Sequence, residues 1–113
     1  MNGAVMVLTL TQYFKAEAVD VAGILEGALD GGLDAAANRI GAERSHLVTE
    51  GIDGGVRVNG GLNVLDGSEL RVSGNSRLTT LKITVPWEET DNSKALAANA
   101  FAEAIANEVQ LAA

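Results

Sequence analysis

Leu81-Lys82-Ile83-Thr84-Val85-Pro86-Trp87 puts Leu, Ile, Val and Trp on one side of an extended chain, with Lys and Thr on the other. That period-two alternation belongs to a strand buried on one face. Glu69-Leu70-Arg71-Val72 repeats it, with Leu70 and Val72 opposed to Glu69 and Arg71. The turn signal Ser73-Gly74-Asn75-Ser76 lies between the two stretches, and so short a connection makes them antiparallel neighbours. The result is a sheet with one apolar face, which some other element must cover. Pro86 lacks an N–H and holds Val85 extended, so the ladder is expected to end there.

Upstream, turn residues divide the chain into further strands. His46-Leu47-Val48-Thr49 precedes Gly51, and Gly54-Gly55 leads into Val56-Arg57-Val58. Asn59-Gly60-Gly61 leads into Leu62-Asn63-Val64-Leu65, read as another strand, and Asp66-Gly67 is a hairpin signal ahead of Glu69. Val5 to Phe14 forms a first strand, with Met6, Leu8, Leu10 and Phe14 on one side and a first half that is apolar on both.

Two stretches switch to helical spacing. From Ala16 to Leu29 the residues Ala18, Val21, Ala22, Leu25, Ala28 and Leu29 recur at three- and four-residue intervals. Gly23 and Gly27 within it imply either the close approach of another backbone or a loosely packed helix. Gly31-Gly32 reads as the end of this helix, followed by a second, shorter one from Leu33 or Asp34 to Ile40, stopped by Gly41. Asp91, Asn92 and Ser93 can cap a long final helix running to Leu111, whose Ala97, Ala98, Phe101, Ala104, Ile105, Val109 and Ala112 share one face. The expected fold class is α+β: an antiparallel sheet of about five to six strands packed on a long C-terminal helix, with two short helices after the first strand. One domain spanning residues 1–113 is expected.

Composition narrows the function. A chain of 113 residues buries roughly two-thirds of its unfolded surface, enough for a core of its own. Aromatic residues are few, namely Tyr13, Phe14, Trp87 and Phe101, so that core is aliphatic. Without cysteine there is no disulfide, thiolate metal site or cysteine nucleophile. The net charge of −7 argues against nucleic acid and anionic membranes as partners, because phosphate binding needs clustered Lys and Arg. The apolar opening Ala4 to Leu8 has no basic flank and is too short to span a bilayer, so a cytoplasmic protein is expected. Glu17, Asp20, Glu26, Asp30 and Asp34 make the first helical region acidic, while Arg57, Arg71, Arg77 and Lys82 give the sheet a mildly basic side.

In its order of elements the chain resembles a helix-grip, or START-like, domain. The likeness rests on a first strand, two short helices broken at Gly31-Gly32, a meander from His46 to Trp87 and a long closing helix from Asn92. It implies a curved sheet wrapped around the final helix, with a cavity between them for an apolar ligand. No residue matches a functional motif of that family.

No motif assigns chemistry directly. His46 is the only histidine, which leaves a histidine-based metal site or triad without partners. Glu26, Asp30 and Asp34 lie four apart, but lack the alternating oxygens of a calcium loop, so a solvated acidic face is expected. The glycine clusters match no phosphate-binding pattern and read as hairpin turns. Glu108 falls inside the apolar arc of the final helix, either at its rim or as a buried anchor in a cavity. Trp87, Phe101, Ile105 and Glu108 are the candidate cavity residues. Two functions follow: a binding module for an apolar or amphipathic small molecule, or a homo-oligomeric structural or adaptor protein without such a ligand. A homodimer is expected in either case. Catalysis is the weakest reading, and neither cofactor nor metal is expected.

Overall fold

The computed structural model describes residues 6–15, 18–74, 78–87 and 92–112. Its elements are β1 (Met6–Phe14), α1 (Ala18–Ile40), β2 (Leu47–Ile52), β3 (Gly55–Gly60), β4 (Ser68–Gly74), β5 (Thr79–Trp87) and α2 (Asn92–Ala112). The strands form one sheet in the order β1-β5-β4-β3-β2, antiparallel at every step. Four reversals separate β1 from β2, so the two edge strands run the same way and α1 carries the chain from one edge to the other.

Alternation sorts the sheet as the sequence implies. Leu81, Ile83 and Val85 of β5, Leu70 of β4 and Val58 of β3 are buried, and the register sets Leu70 opposite Ile83 and Val72 opposite Leu81. The other face carries Glu69 and Arg71 of β4, opposite Thr84 and Lys82 of β5. Both helices lie on the apolar face, α1 over β4 and β5 and α2 over β1 and β5. The core between the layers includes Phe101, Leu29, Leu33, Leu65 and Ile105, all fully buried.

The helical layer departs from the sequence reading. The two expected short helices are one continuous 23-residue helix, and Gly31-Gly32 stands inside it. Of the two, Gly32 is there for close packing. A Cβ on Gly32 would lie 2.8 Å from the Cγ1 of Ile105 and 2.9 Å from the Cδ1 of Phe101, and one on Gly31 would lie 3.2 Å from the Glu108 carboxylate. Each glycine costs the helix roughly 1 kcal/mol relative to alanine, and the burial of Phe101 and Ile105 against α1 offsets that cost. Gly23 and Gly27, where close approach was one reading, face open space. As a result α2 packs more extensively on α1 than on any strand.

A second correction concerns Leu62-Asn63-Val64-Leu65. Gly60 and Gly61 both take positive φ, +67° and +73°, which folds the chain back after β3 instead of extending it. The Leu65 amide then donates to the Leu62 carbonyl at 2.9 Å. Asn63–Leu65 is therefore a short 3-10 turn, Leu62 and Leu65 plug the end of the core, and the sheet has five strands. The cap residue Asp91 lies outside the described residues.

Candidate functional site

A cleft of about 430 Å³ opens between the first half of α1 and the β3–β4 end of the sheet. Ala22, Leu25 and Glu26 of α1 form one wall, and Val56 of β3 with Val72 of β4 forms the floor. Gly54 and Gly55 make the rim. Helical spacing places Ala22, Leu25 and Glu26 on adjacent positions of one flank, and the register sets Val56 directly opposite Leu70, two residues before Val72 on the same face. The space exists because small groups stand where large ones would close it. Ala22 lies on the wall next to buried Val21 and Leu25, and Gly55 brings only backbone.

Gly55 is held there by sterics. Its Cβ would fall 1.9 Å from the Leu70 carbonyl oxygen, a distance no side chain tolerates. Gly54, at φ +75°, turns β2 into β3, and its carbonyl accepts from the Val72 amide at 2.9 Å. The rim is thus fixed backbone. Glu26, exposed at the mouth, is the single charged side chain among the described lining residues. The arrangement can hold an apolar body against Leu25, Val56 and Val72 and a cationic or donor group at Glu26.

Elsewhere two groups of charges satisfy one another. Arg44, just beyond α1, reaches back to Asp30 Oδ1 at 2.8 Å, to the Asp30 carbonyl at 3.1 Å and to Asp34 Oδ1 at 3.1 Å. The bond to Asp30, then that to Asp34, raises the Arg44 pKa. This clip occupies two of the three carboxylates in the acidic row. On the open face of the sheet, Arg57 donates to Glu69 Oε2 at 2.7 Å and 3.1 Å and to Glu50 at 3.4 Å, while Arg71 bonds the other oxygen of Glu69. The hydrogen bond from Arg57, then that from Arg71, holds the Glu69 carboxyl below its ordinary range. Two of the arginines read as a basic side are therefore neutralised within the sheet. Among the described residues no three His, Asp or Glu side chains gather to hold a metal ion, and no helix is long and apolar enough to cross a membrane.

The sequence-derived candidates gather in another place. Phe101 and Ile105 are fully buried at the α1–α2 crossing beside Gly32. Glu108 is exposed at the rim of that crossing, its carboxylate against Gly31. Ala97 and Ala98 are completely buried. Pro86 pairs with Val7 and Trp87 with Met6, so the ladder runs on past Pro86 to the end of β5 instead of ending there; the Trp87 side chain lies outside the described residues. Phe101, Ile105 and Glu108 do not line the cleft. The cleft residues carry only a faint sequence signal, Ala22 among larger apolar residues on one helix flank and Gly55 at a strand start.

A smaller hollow of about 240 Å³ lies between the end of α1 and the Asn63–Leu65 turn, with Glu43, Ser45 and Asn63 on its walls. No protein-family model matches the chain, and no curated protein matches it.

Proposed function

We propose that the protein is a binding module that holds an apolar or amphipathic small molecule in the cleft under α1. The observation that carries the reading is the cleft itself. Its volume of about 430 Å³ falls within the roughly 300–1,000 Å³ of small-molecule sites, and its floor and wall are aliphatic. The Glu26 carboxylate at the mouth favours a ligand whose polar end is cationic or a hydrogen-bond donor. The helix-grip likeness stays a proposal about the order of elements; it implies a cavity under the closing helix, whereas the cleft offered here is under α1.

Native mass spectrometry of freshly purified protein tests the reading. A co-purifying mass that disappears in Val72→Trp, which fills the floor of the cleft, is the expected result. If the wild type carries no adduct, and apolar and amphipathic compounds raise its melting temperature no more than that of folded Val72→Trp, the reading fails.

A further inference from the structure

The two edges of the sheet are built differently. β2 offers six residues, Leu47–Ile52, including Gly51 and Glu50, whose carboxylate Arg57 holds. Charges and glycines are among the features by which natural edges refuse another strand. β1 offers nine residues, MVLTLTQYF, without a charge, glycine or proline, in a chain that is 20% charged. Its inner side is also unfinished. Leu8 and Leu10 face the core yet are only half-buried, while Val85 and Ile83 opposite them on β5 are completely buried. The core is incompletely closed at Leu8 and Leu10, whereas Phe14 at the strand's end is buried.

We propose that β1 is the interface through which two copies of this chain join, edge to edge, into one continuous antiparallel sheet. A second copy fits this edge for two reasons. Each copy carries a net charge of −7, and β1 is a neutral strip along which two acidic molecules can meet without facing like charges. The strand also matches itself. A two-fold axis at Leu10, the middle of the nine residues, pairs the whole strand and keeps the helices of both copies on one side of the joined sheet. On the inner side Leu10 then meets the partner's Leu10, and Leu8 meets the partner's Gln12, covering both half-exposed leucines. On the outer side Thr9 meets the partner's Thr11, a favourable cross-strand pair. The shared edge would be about 30 Å long. No described side chain of β1 lines the cleft, and ligand binding and this interface are tested separately.

Light scattering coupled to size exclusion is the test, with circular dichroism to confirm folding. The wild type should run at twice the chain mass. Thr9→Lys with Thr11→Lys, which sets like charges opposite each other across the two-fold, should halve that mass. Thr9→Lys with Thr11→Glu should restore it, because each introduced cation then faces an introduced anion, and Val48→Lys on the other edge should leave the dimer intact. Should the double lysine variant fail to fold, hydrogen exchange on the wild type decides, since β1 amides must gain protection as concentration rises. A wild type that stays monomeric at about 1 mM, where a dimer with a Kd of about 100 μM is mostly formed, overturns the proposal and leaves the edge to a foreign strand. A dimer lost in Val48→Lys but kept in the double lysine variant also overturns it.

Discussion

Gly32 of α1 and Ile105 of α2 meet so closely that a Cβ built on the glycine would stand 2.8 Å from the Cγ1 of Ile105. Ile105 is fully buried, as is Phe101 beside it, so neither can swing away. The contact sets how near the two helices lie, and hence how much of the apolar face of the sheet they cover together. The part left uncovered, ahead of this crossing along α1, is the cleft.

Gly32→Ala should therefore destabilise the protein. Alanine gains roughly 1 kcal/mol of helix propensity, but overpacking a closed contact costs about 1–3 kcal/mol, leaving a net loss of up to about 2 kcal/mol. Gly27→Ala, where a Cβ meets only open space, should gain about 0.5–1 kcal/mol from the same propensity. Urea unfolding followed by circular dichroism separates them, and equal effects from both would mean that the crossing is not closely packed.

This pair also marks where the sequence is legible and where it is not. Alternation in Leu81 to Trp87 and in Glu69 to Val72 specifies a one-sided antiparallel sheet, because period two is a local property of the chain. The final helix is equally local, and α2 runs from Asn92 to Ala112. Gly31-Gly32 misleads because a glycine pair that ends a helix and one that admits a neighbouring helix look alike until the neighbour is in place. Asn59-Gly60-Gly61 misleads in the same way, since the turn it forms is decided by Leu62 and Leu65 reaching the core. The cleft was the least legible feature. It depends on Ala22 lying across from Val72, residues fifty positions apart by number whose meeting no local pattern records.

Glu69 makes stability depend on pH. Its folded pKa lies below the ordinary 4.5, so its pairing with Arg57 and Arg71 stabilises the native state above that value and is lost as pH falls through the folded pKa. Glu69→Gln should be less stable than the wild type at neutral pH, and the gap should close in acid. Unfolding free energies measured across the carboxylate range check this; a gap independent of pH would assign the loss to packing instead.

Arg44 clips the chain after α1 to Asp30 and Asp34. Both carboxylates are largely exposed, so Arg44→Ala should lower stability by no more than about 1 kcal/mol. The difference should shrink in high salt, where exposed charges are screened beyond about 3 Å at roughly 1 M. Amide exchange from Ala42 to His46 should quicken in the variant, because the loop loses its tie to the helix. Thermal melts at low and high salt give the first readout, and a larger loss that ignores salt would mean that the aliphatic stem of Arg44 matters more than its charge.

Glu26 should set which end of a ligand faces the solvent. Among the described residues it is the single charge lining the cleft, beside alanine, leucine and valine side chains, so an alkylammonium should bind more tightly than the alcohol of equal chain length. Being exposed, the carboxylate contributes what a surface ion pair does, up to about 1 kcal/mol, or a preference of up to about fivefold in affinity. Glu26→Gln should abolish that preference while leaving the alcohol's affinity unchanged, because the aliphatic floor is untouched. Titration calorimetry of the two probes against the two proteins gives four affinities. Selectivity that persists in Glu26→Gln would place the ammonium elsewhere, and equal weakening of both probes would mean that the side chain shapes the cleft wall and does not pair with the ligand.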